Sequence, residues 1–514
     1  MSSPNPSQSQ KADATTVKSL LGEVCPEVLP HWLETRRWFA DKSRGISGVT
    51  IEDALVERVG SDWLALAVAL VTFGDGSTAR YFLPLALTES PGATEPITGV
   101  ASGAVTGVIV DATEKPWFGG WLLDQFAGAT ELTNRSWVFA AHPAAEAQIA
   151  AARNSPTMSM RAEQSNSSLR FGDVLIIKLF RRLQPGVNPD EEVLRALADV
   201  RFERVPRYVG SVSWSSGDGA TYAVGLAQGF VSNIGDGWTW MQQRLAGVAT
   251  GAVDPWADRF AAERALGSRT GELHVALGTV QDPAFAPETT DDSVIDADAR
   301  RTRAAIDAAI LLLQEQRMHL PDFLASRLPD AIAGLQAVTE RTEGYRVELN
   351  TRRIRVHGDY HLGQTLRTPD GDWVIIDFEG EPARSVEERR QRASVLKDVA
   401  GMLRSFAYAR GATERAADAP PDRAARERLG AWEAGARDAF LQGYRQALVG
   451  TAMRFVPEDD EALARALAAW ELDKALYEVA YEARNRPDWL ELPLRSLLPD
   501  LIDQAADAAG GAPA

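Results

Sequence analysis

The chain has one cysteine, Cys25, among 514 residues, which excludes an intrachain disulfide and a four-cysteine zinc site. A reducing compartment, the cytoplasm, is the expected home. No stretch approaches the ~18 apolar residues of a spanning helix, and residues 1–11 are rich in Ser, Pro and Gln without the apolar core of a secretion signal. Neither a membrane nor export is expected. Positive charge is also short: 54 Lys and Arg face 71 Asp and Glu, a net charge of -17. Nucleic acid and anionic membranes therefore find no basic footprint, and a phosphate ligand must find a local one. A Walker A sequence, the glycine pattern of protein-kinase nucleotide loops, internal repeats and coiled-coil heptads are all missing. What remains is ordinary for a globular protein, 45% hydrophobic and 24% charged, and the length calls for two or more domains.

The densest chemistry lies in two adjacent segments, I-R-V-H-G-D-Y-H-L-G-Q at 354–364 and W-V-I-I-D-F-E-G-E at 373–381. The first sets an acid, Asp359, in a polar loop between Val356 and Leu362, and the second sets another, Asp377, at the end of the apolar run 373–376, so that two carboxylates from adjacent strand ends share a small volume. Phosphoryl transfer needs that pair: one carboxylate accepts the proton of the attacking hydroxyl, while the other, with an amide, holds the metal that neutralises phosphate charge. Asp359 reads as the base, and Gln364 and Asp377 as ligands of Mg²⁺.

The pattern resembles the catalytic loops of the kinase-like superfamily of aminoglycoside and choline phosphotransferases, with Gln364 where most members carry Asn. The amide oxygen survives, one methylene further out. Gln at this position followed by D-F-E-G-E-P at 377–382 is similar to maltokinases, which phosphorylate maltose at its anomeric hydroxyl using ATP. The resemblance implies an α+β, bilobal protein-kinase-like fold with an N-terminal α/β cap and a mostly helical C-terminal lobe. The expected divisions are a tail over 1–16, a cap over 17–110, a nucleotide-binding lobe over 111–231, a helical lobe over 232–508 and a second tail over 509–514.

Within the cap, 20–33 reads as a helix and 63–73 and 79–87 as strands joined by Gly74-Asp75-Gly76, a hairpin signal. Trp38 and Phe39, in a segment similar to the R-x-W-F-A-x-K opening of maltokinases, read as a packed corner. Further on, Lys178 interrupts the β-branched run 174–180. A lysine there is costly unless it meets an anion. The resemblance makes that anion the α and β phosphates of ATP, covered by the turn of Gln164, Ser165, Asn166, Ser167 and Ser168, whose backbone N–H groups face them. Asp190 starts a helix in which Glu191 and Glu192 are either first-turn acids favoured by the helix dipole or partners of Lys178; the family's N-P-D-x-E pattern points to Glu192. A strand is expected over 222–231, whose Gln228, Phe230 and Val231 resemble the hinge that binds adenine or else form a core strand.

From 238 the pattern turns helical, with stretches at 257–277, 297–332 and 392–408, and surface connections at 281–296 and 411–426. His274 reads as a core residue and Asp398 as a buttress of the catalytic loop. In 471–489, Lys474, Tyr477 or Glu478, and Tyr481 recur on one helix face. Spacing alone allows a surface face with ordinary salt bridges; the maltokinase Y-E-x-x-Y-E-x-x-x-R-P resemblance implies that Lys474 and Tyr481 bind the sugar. Glu379 joins them as a candidate for sugar hydroxyls or a second metal, or for an ion pair with Arg384 or Arg389, Glu381 has the same readings, and His357 and His361 bracket Asp359, the first holding the loop in shape and the second packing beneath it, with His361 also a candidate substrate contact. The expected product is maltose 1-phosphate, with a functional link to trehalose synthase implied by the family's pathway. The alternatives are glucosamine or another amino sugar as acceptor, and a binding protein without turnover.

Overall fold

A computed structural model describes residues 13–501 apart from 91, 93, 103–104, 129–130, 133–135, 161–165, 255, 382–383, 417–421 and 500. The chain divides into two compact units, one made of the residues up to Glu192 plus Pro206–Phe230, the other of Val193–Val205 plus the chain from Val231 onward.

The first unit holds both large sheets. Its opening helix, Ala14–Thr35, is capped by Asp13, whose side chain accepts from Thr16 N. Val17, Leu20, Leu21, Cys25, Leu29, Trp32 and Leu33 form one buried face of it, packed on an antiparallel sheet in the order Ile46–Val59, Asp62–Phe73, Thr78–Thr88, Val105–Asp111, Pro96–Ser102. The expected hairpin is present, with Gly76 at φ +79° in the left-handed region. Trp38 and Phe39 are buried on Tyr81, ring centroids 6.3 and 4.9 Å away, which makes them a packed corner.

The second sheet is antiparallel throughout, in the order Glu131–Leu132, Trp137–Ala141, Tyr208–Ser215, Thr221–Gly229, Leu175–Phe180, Asn166–Phe171, Thr157–Met160. Alternation sends Ile177 and Leu179 of Leu175–Phe180 into the core and leaves Lys178 on the opposite face. Directly after this strand, Arg182–Leu183 crosses to pair with Thr78–Thr88 of the first sheet, Arg182 opposite Tyr81. One hydrophobic cluster runs from Leu64, Leu66 and Phe82 in the first sheet to Ile177, Val212 and Val224 in the second.

The other unit is mostly helical, with long helices at Ala261–Thr279, Asp292–Glu315, Leu396–Ala416, Arg423–Ala447 and Asp460–Asn485. The class is therefore α+β, with a sheet-rich N-terminal part and a helical C-terminal part. No helix among the described residues is long and apolar enough to cross a membrane. Two expectations are corrected. The single helix over 297–332 stops at Glu315 and is followed by two separate helices, Asp322–Ala325 and Leu328–Ala337, with Pro321 in the break. The connection expected from 411 begins later, since Leu396–Ala416 extends through Gly411 and Ala412, both packed against Leu492 or buried.

Deep in this unit Glu348 is 3% exposed, accepting from Trp470 Nε1 at 2.6 Å and from the Ser394 hydroxyl. Burial raises its carboxyl to about 7, against the opposing effect of these two donors. The folded state thus holds this proton more tightly than the unfolded chain, so the group costs nothing below about pH 4.5 and an increasing amount as pH rises to 7. Glu348→Gln should remove that slope: thermal melts between pH 4.5 and 7.5 should show the variant gaining on the wild type as pH rises. Parallel curves would contradict a raised Glu348.

Candidate active site

The segment 354–364 has little regular structure, and its shape comes from one buried acid. Asp398, in the first turn of Leu396–Ala416, accepts from His357 N at 2.8 Å and Gly358 N at 2.9 Å, and from His274 Nε2 at 3.1 Å. Burial by itself would raise its carboxyl; the hydrogen bond and charge of His274, with the loop N–H donors, outweigh that and hold it low. His274 completes the support through Nδ1 and Tyr444 Oη at 2.9 Å. Both residues therefore occupy the structural places expected of them. Tyr360 is buried with its hydroxyl 2.9 Å from Thr270 Oγ1, and its carbonyl presses so closely on Gly401 that a Cβ there would lie 2.5 Å from the oxygen. Leu362 N donates to Ser405 Oγ at 3.0 Å.

So held, Asp359 meets Lys474 from the helix Asp460–Asn485, Nζ to Oδ1 2.9 Å. Burial raises the Asp359 carboxyl, but the charges of Lys474 and then His361 prevail and bring it to about 2. His361 is itself pulled below the ordinary imidazole range by burial; its Nδ1 accepts from Gly363 N at 3.1 Å, which leaves the proton on Nε2. Lys474 also faces Glu381, Nζ to Oε1 3.6 Å, and Glu381 is paired in turn with Arg384 and with Lys397 at 3.4 Å. Two carboxylates keep the Lys474 ammonium charged despite its burial.

Asp359, His361, Lys474 and Tyr481 line a single cavity of about 550 Å³. Its other walls include Asp236, Trp238, Tyr408, Tyr477, Glu478, Glu482, Arg486 and Trp489. Glu478 is held by the buried Arg404 at 2.6 Å, and Glu482 by Arg486 at 2.7 Å and the Tyr408 hydroxyl at 3.3 Å. Tyr481 stands at the rim, 46% exposed. Charged side chains fixed by partners, alternating with aromatic faces, are what a polyhydroxylated ring binds to. Sequence reasoning missed Asp236, Trp238, Tyr408, Arg486 and Trp489. A signal existed for Trp238, which follows the N-cap Asp236 by two positions and is one of two tryptophans in G-W-T-W.

Asp377 closes the second segment with φ +69°, a strained conformation for a non-glycine residue that is kept where the surroundings enforce it. Two contacts of its neighbour do so: Ile376 N donates to Gln364 O at 3.0 Å, and Ile376 O accepts from His357 Nε2 at 2.9 Å. The backbones of Gln364 and Asp377 are thereby tied together, and their amide and carboxylate oxygens are a donor set suited to a hard cation such as Mg²⁺. Glu379 lies outside the lining of the acceptor cavity, and its carbonyl accepts from Arg389 Nη1 at 2.9 Å.

In the sheet-rich unit, Lys178 Nζ lies 3.3 Å from Asp190 Oδ2, and the carboxylate is fully buried. Asp190 thus takes part in the pairing for which the sequence pointed to Glu192; Glu192, also in the first turn of Pro189–Asp199, is 4% exposed. Ser168 stands opposite Lys178 and Ser167 opposite Leu179, with Asn166 beside Phe180. Gln164 and Ser165 lie outside the described residues. In the expected hinge, Gln228 is buried, and the N–H groups of Gly229 and Phe230 are spent on Arg207 O at 2.8 Å and Val174 O at 3.0 Å. Val231 O accepts from Asn233 Nδ2 at 2.8 Å.

Residues 160–381 match the phosphotransferase enzyme family, and residues 32–119 match the maltokinase N-terminal cap domain. A glucosamine kinase of Mycolicibacterium smegmatis is 31% identical over 351 residues, 66% of this chain and 78% of that protein. The chain belongs to the phosphotransferase enzyme family. Another member, a glucosamine kinase of Streptacidiphilus jiangxiensis, is 28% identical over 66% of this chain and 73% of its own. Among solved structures, this capped phosphotransferase is similar in fold to a glucosamine kinase in complex with glucosamine, ADP and inorganic phosphate. The TM-score is 0.63 at 23% identity, covering 88% of this chain and 93% of that one. A second crystal form of glucosamine kinase gives a TM-score of 0.66 at 22% identity, over 94% and 99%.

Proposed function

We propose that this phosphotransferase is an ATP-dependent sugar kinase whose acceptor is glucosamine. The observation that carries the reading is Asp359, half-buried and ionised, in an acceptor cavity walled by fixed acids and aromatic rings. Asp236, Glu478 and Glu482 supply the carboxylates that an ammonium on a sugar ring requires, and the two relatives described above are glucosamine kinases.

In the proposed reaction Lys178 and the strand of Asn166, Ser167 and Ser168 hold the phosphates of ATP, and Gln364 and Asp377 hold Mg²⁺, which offsets their charge. Asp359 accepts a hydrogen bond from the acceptor hydroxyl and orients it in line with the γ-phosphorus. A carboxylate near 2 is too weak a base to ionise an alcohol beforehand. It takes the proton late, once bonding to phosphorus has made the hydroxyl acidic, as a loose transition state requires. Lys474 and Tyr481 meet the sugar, with the free Nε2–H of His361 beside Asp359.

Maltose is the second reading. It rests on D-F-E-G-E-P, on the cap, and on a cavity whose 550 Å³ accommodates a disaccharide; the link to trehalose synthase belongs to it alone. The test is ATP consumption with Mg²⁺ against glucosamine, maltose, glucose, trehalose and an aminoglycoside. The expected result is turnover with glucosamine, at a kcat/KM at least about tenfold above that for maltose. The reverse order would favour maltose, and silence across the panel would remove the kinase reading.

A further inference from the structure

The sheet-rich unit contains a cavity most of whose lining the proposed reaction does not use, only Asn166 and Ser167 belonging also to the strand assigned to ATP. It measures about 910 Å³ and is lined by Arg36, Arg37, Lys115 and Arg181, with only Asp111 and Glu114 as acids. In a chain of net charge -17, such a concentration of cations around one concavity is the local positive site that a phosphate needs.

Arg181 forms its floor. The side chain is 1% exposed and its guanidinium lies over the Trp38 ring, 4.6 Å from the centroid. Nε donates to Ser167 Oγ at 2.8 Å, and Nη2 to Asp111 Oδ2 at 2.7 Å and Thr113 Oγ1 at 3.3 Å. Nη1 is buried with no hydrogen-bond partner among the described residues. A charged group held out of water with part of its hydrogen-bonding capacity unused is costly, and nearby negative charge offsets such a cost. At the mouth, among the described residues, Arg36 forms an ion pair only with the exposed Glu95 at 3.0 Å, and Arg37 is exposed with none. Lys115, 9% exposed, also lines the cavity; it pairs with Asp62 at 3.4 Å and donates to Ser90 O at 3.1 Å. Thr35, Thr94, Thr113 and Ser159 add hydroxyls to the lining.

We propose that this cavity binds the phosphate group of a small hydroxylated metabolite, of the class of sugar phosphates. Arg36, Arg37 and Lys115 engage the dianion through charge-assisted hydrogen bonds, Arg181 supplies fixed positive charge beneath it, and the hydroxyl lining takes the sugar. The site shares a strand with the nucleotide residues. Ser167 holds Arg181 on one face of Asn166–Phe171, while its neighbour Ser168 stands opposite Lys178 on the other.

The test is a calorimetric titration of the full-length chain with two probes, glucose 6-phosphate and inorganic phosphate. It needs no turnover and so stands or fails apart from the acceptor assignment. Arg36→Ala/Arg37→Ala removes the two mouth cations without touching the buried floor, and a thermal melt checks that it folds. Affinity for the probe should fall about tenfold or more in this variant and stay unchanged in Tyr481→Ala, which alters the acceptor cavity. Tighter binding of glucose 6-phosphate identifies a sugar phosphate as the ligand, and equal binding of the two probes identifies free phosphate; either supports a phosphate site. Absence of heat with both probes, unchanged affinity in the double arginine variant, or a loss confined to Tyr481→Ala would overturn the proposal.

Discussion

Asp359→Asn should lower kcat roughly 10³-fold, the scale of a general base acting in the transition state, while the Kd for ATP changes little. The substitution keeps the size of the side chain and the hydrogen bonds that Asp398 makes to the loop at His357 and Gly358, so the loop retains its shape. What disappears is the only group at that position able to take the proton from the acceptor hydroxyl. Steady-state kinetics beside nucleotide titration separate the two effects. Retention of more than about a tenth of the wild-type kcat would remove Asp359 from the chemistry. Loss of the folded state would make it a structural acid instead.

Lys474→Met should disturb the same carboxylate from the other side. With the largest opposing charge gone, burial is left less opposed and the Asp359 carboxyl rises from about 2. Two consequences can be read separately. In kinetics, the acidic limb of the pH profile of kcat/KM should move to higher pH, and the KM for the sugar should rise far more than that for ATP. In stability, the wild-type contribution of Asp359 is present above its ordinary value near 3.8 and is lost as pH falls from there through about 2; the variant should lack that acid-side loss and be less stable at neutral pH by about 3 kcal/mol, the scale of breaking a buried ion pair. Glu381, which keeps Arg384 and Lys397, limits the damage. An unmoved acidic limb would show that Lys474 does not govern the base. Tyr481→Ala, at the exposed rim, should raise the KM for the sugar without moving the limb.

The parts of this site legible in the sequence were those whose chemistry is local. H-G-D-Y-H sets its acid in a polar loop and D-F-E-G-E sets one at the end of an apolar run, and Lys178 stands out because a charged residue interrupts a β-branched strand. Asp398 was placed correctly as support and His274 as a core residue. Pairings across long stretches of chain were not legible: Lys474 and Asp359 are 115 positions apart, and nothing in either segment announces that the residue expected to bind sugar also sets the charge state of the base. The part Asp190 takes beside Lys178 was not legible for another reason: an acid at a helix start is already accounted for by the helix dipole, and only the direction of the first turn brings it to the lysine. The strands Ile46–Val59, Pro96–Ser102 and Val105–Asp111 went unassigned because they complete a sheet whose partners lie elsewhere, so tertiary context outweighs their propensity.

The crossing of Arg182–Leu183 from the second sheet to pair with Thr78–Thr88, together with the hydrophobic cluster common to both sheets, bears on how such a chain can be cut and recombined. A module that evolution exchanges freely ends where few contacts cross. Here a splice near residue 111 would strand Leu64, Leu66 and Phe82 without the residues they pack on, and would leave Arg182–Leu183 with no strand to join. The capping sheet and the sheet that carries Lys178 are therefore inherited together. Chimeras between members of this family should be joined elsewhere, and a version shortened to the phosphotransferase match alone would aggregate rather than act as a minimal enzyme.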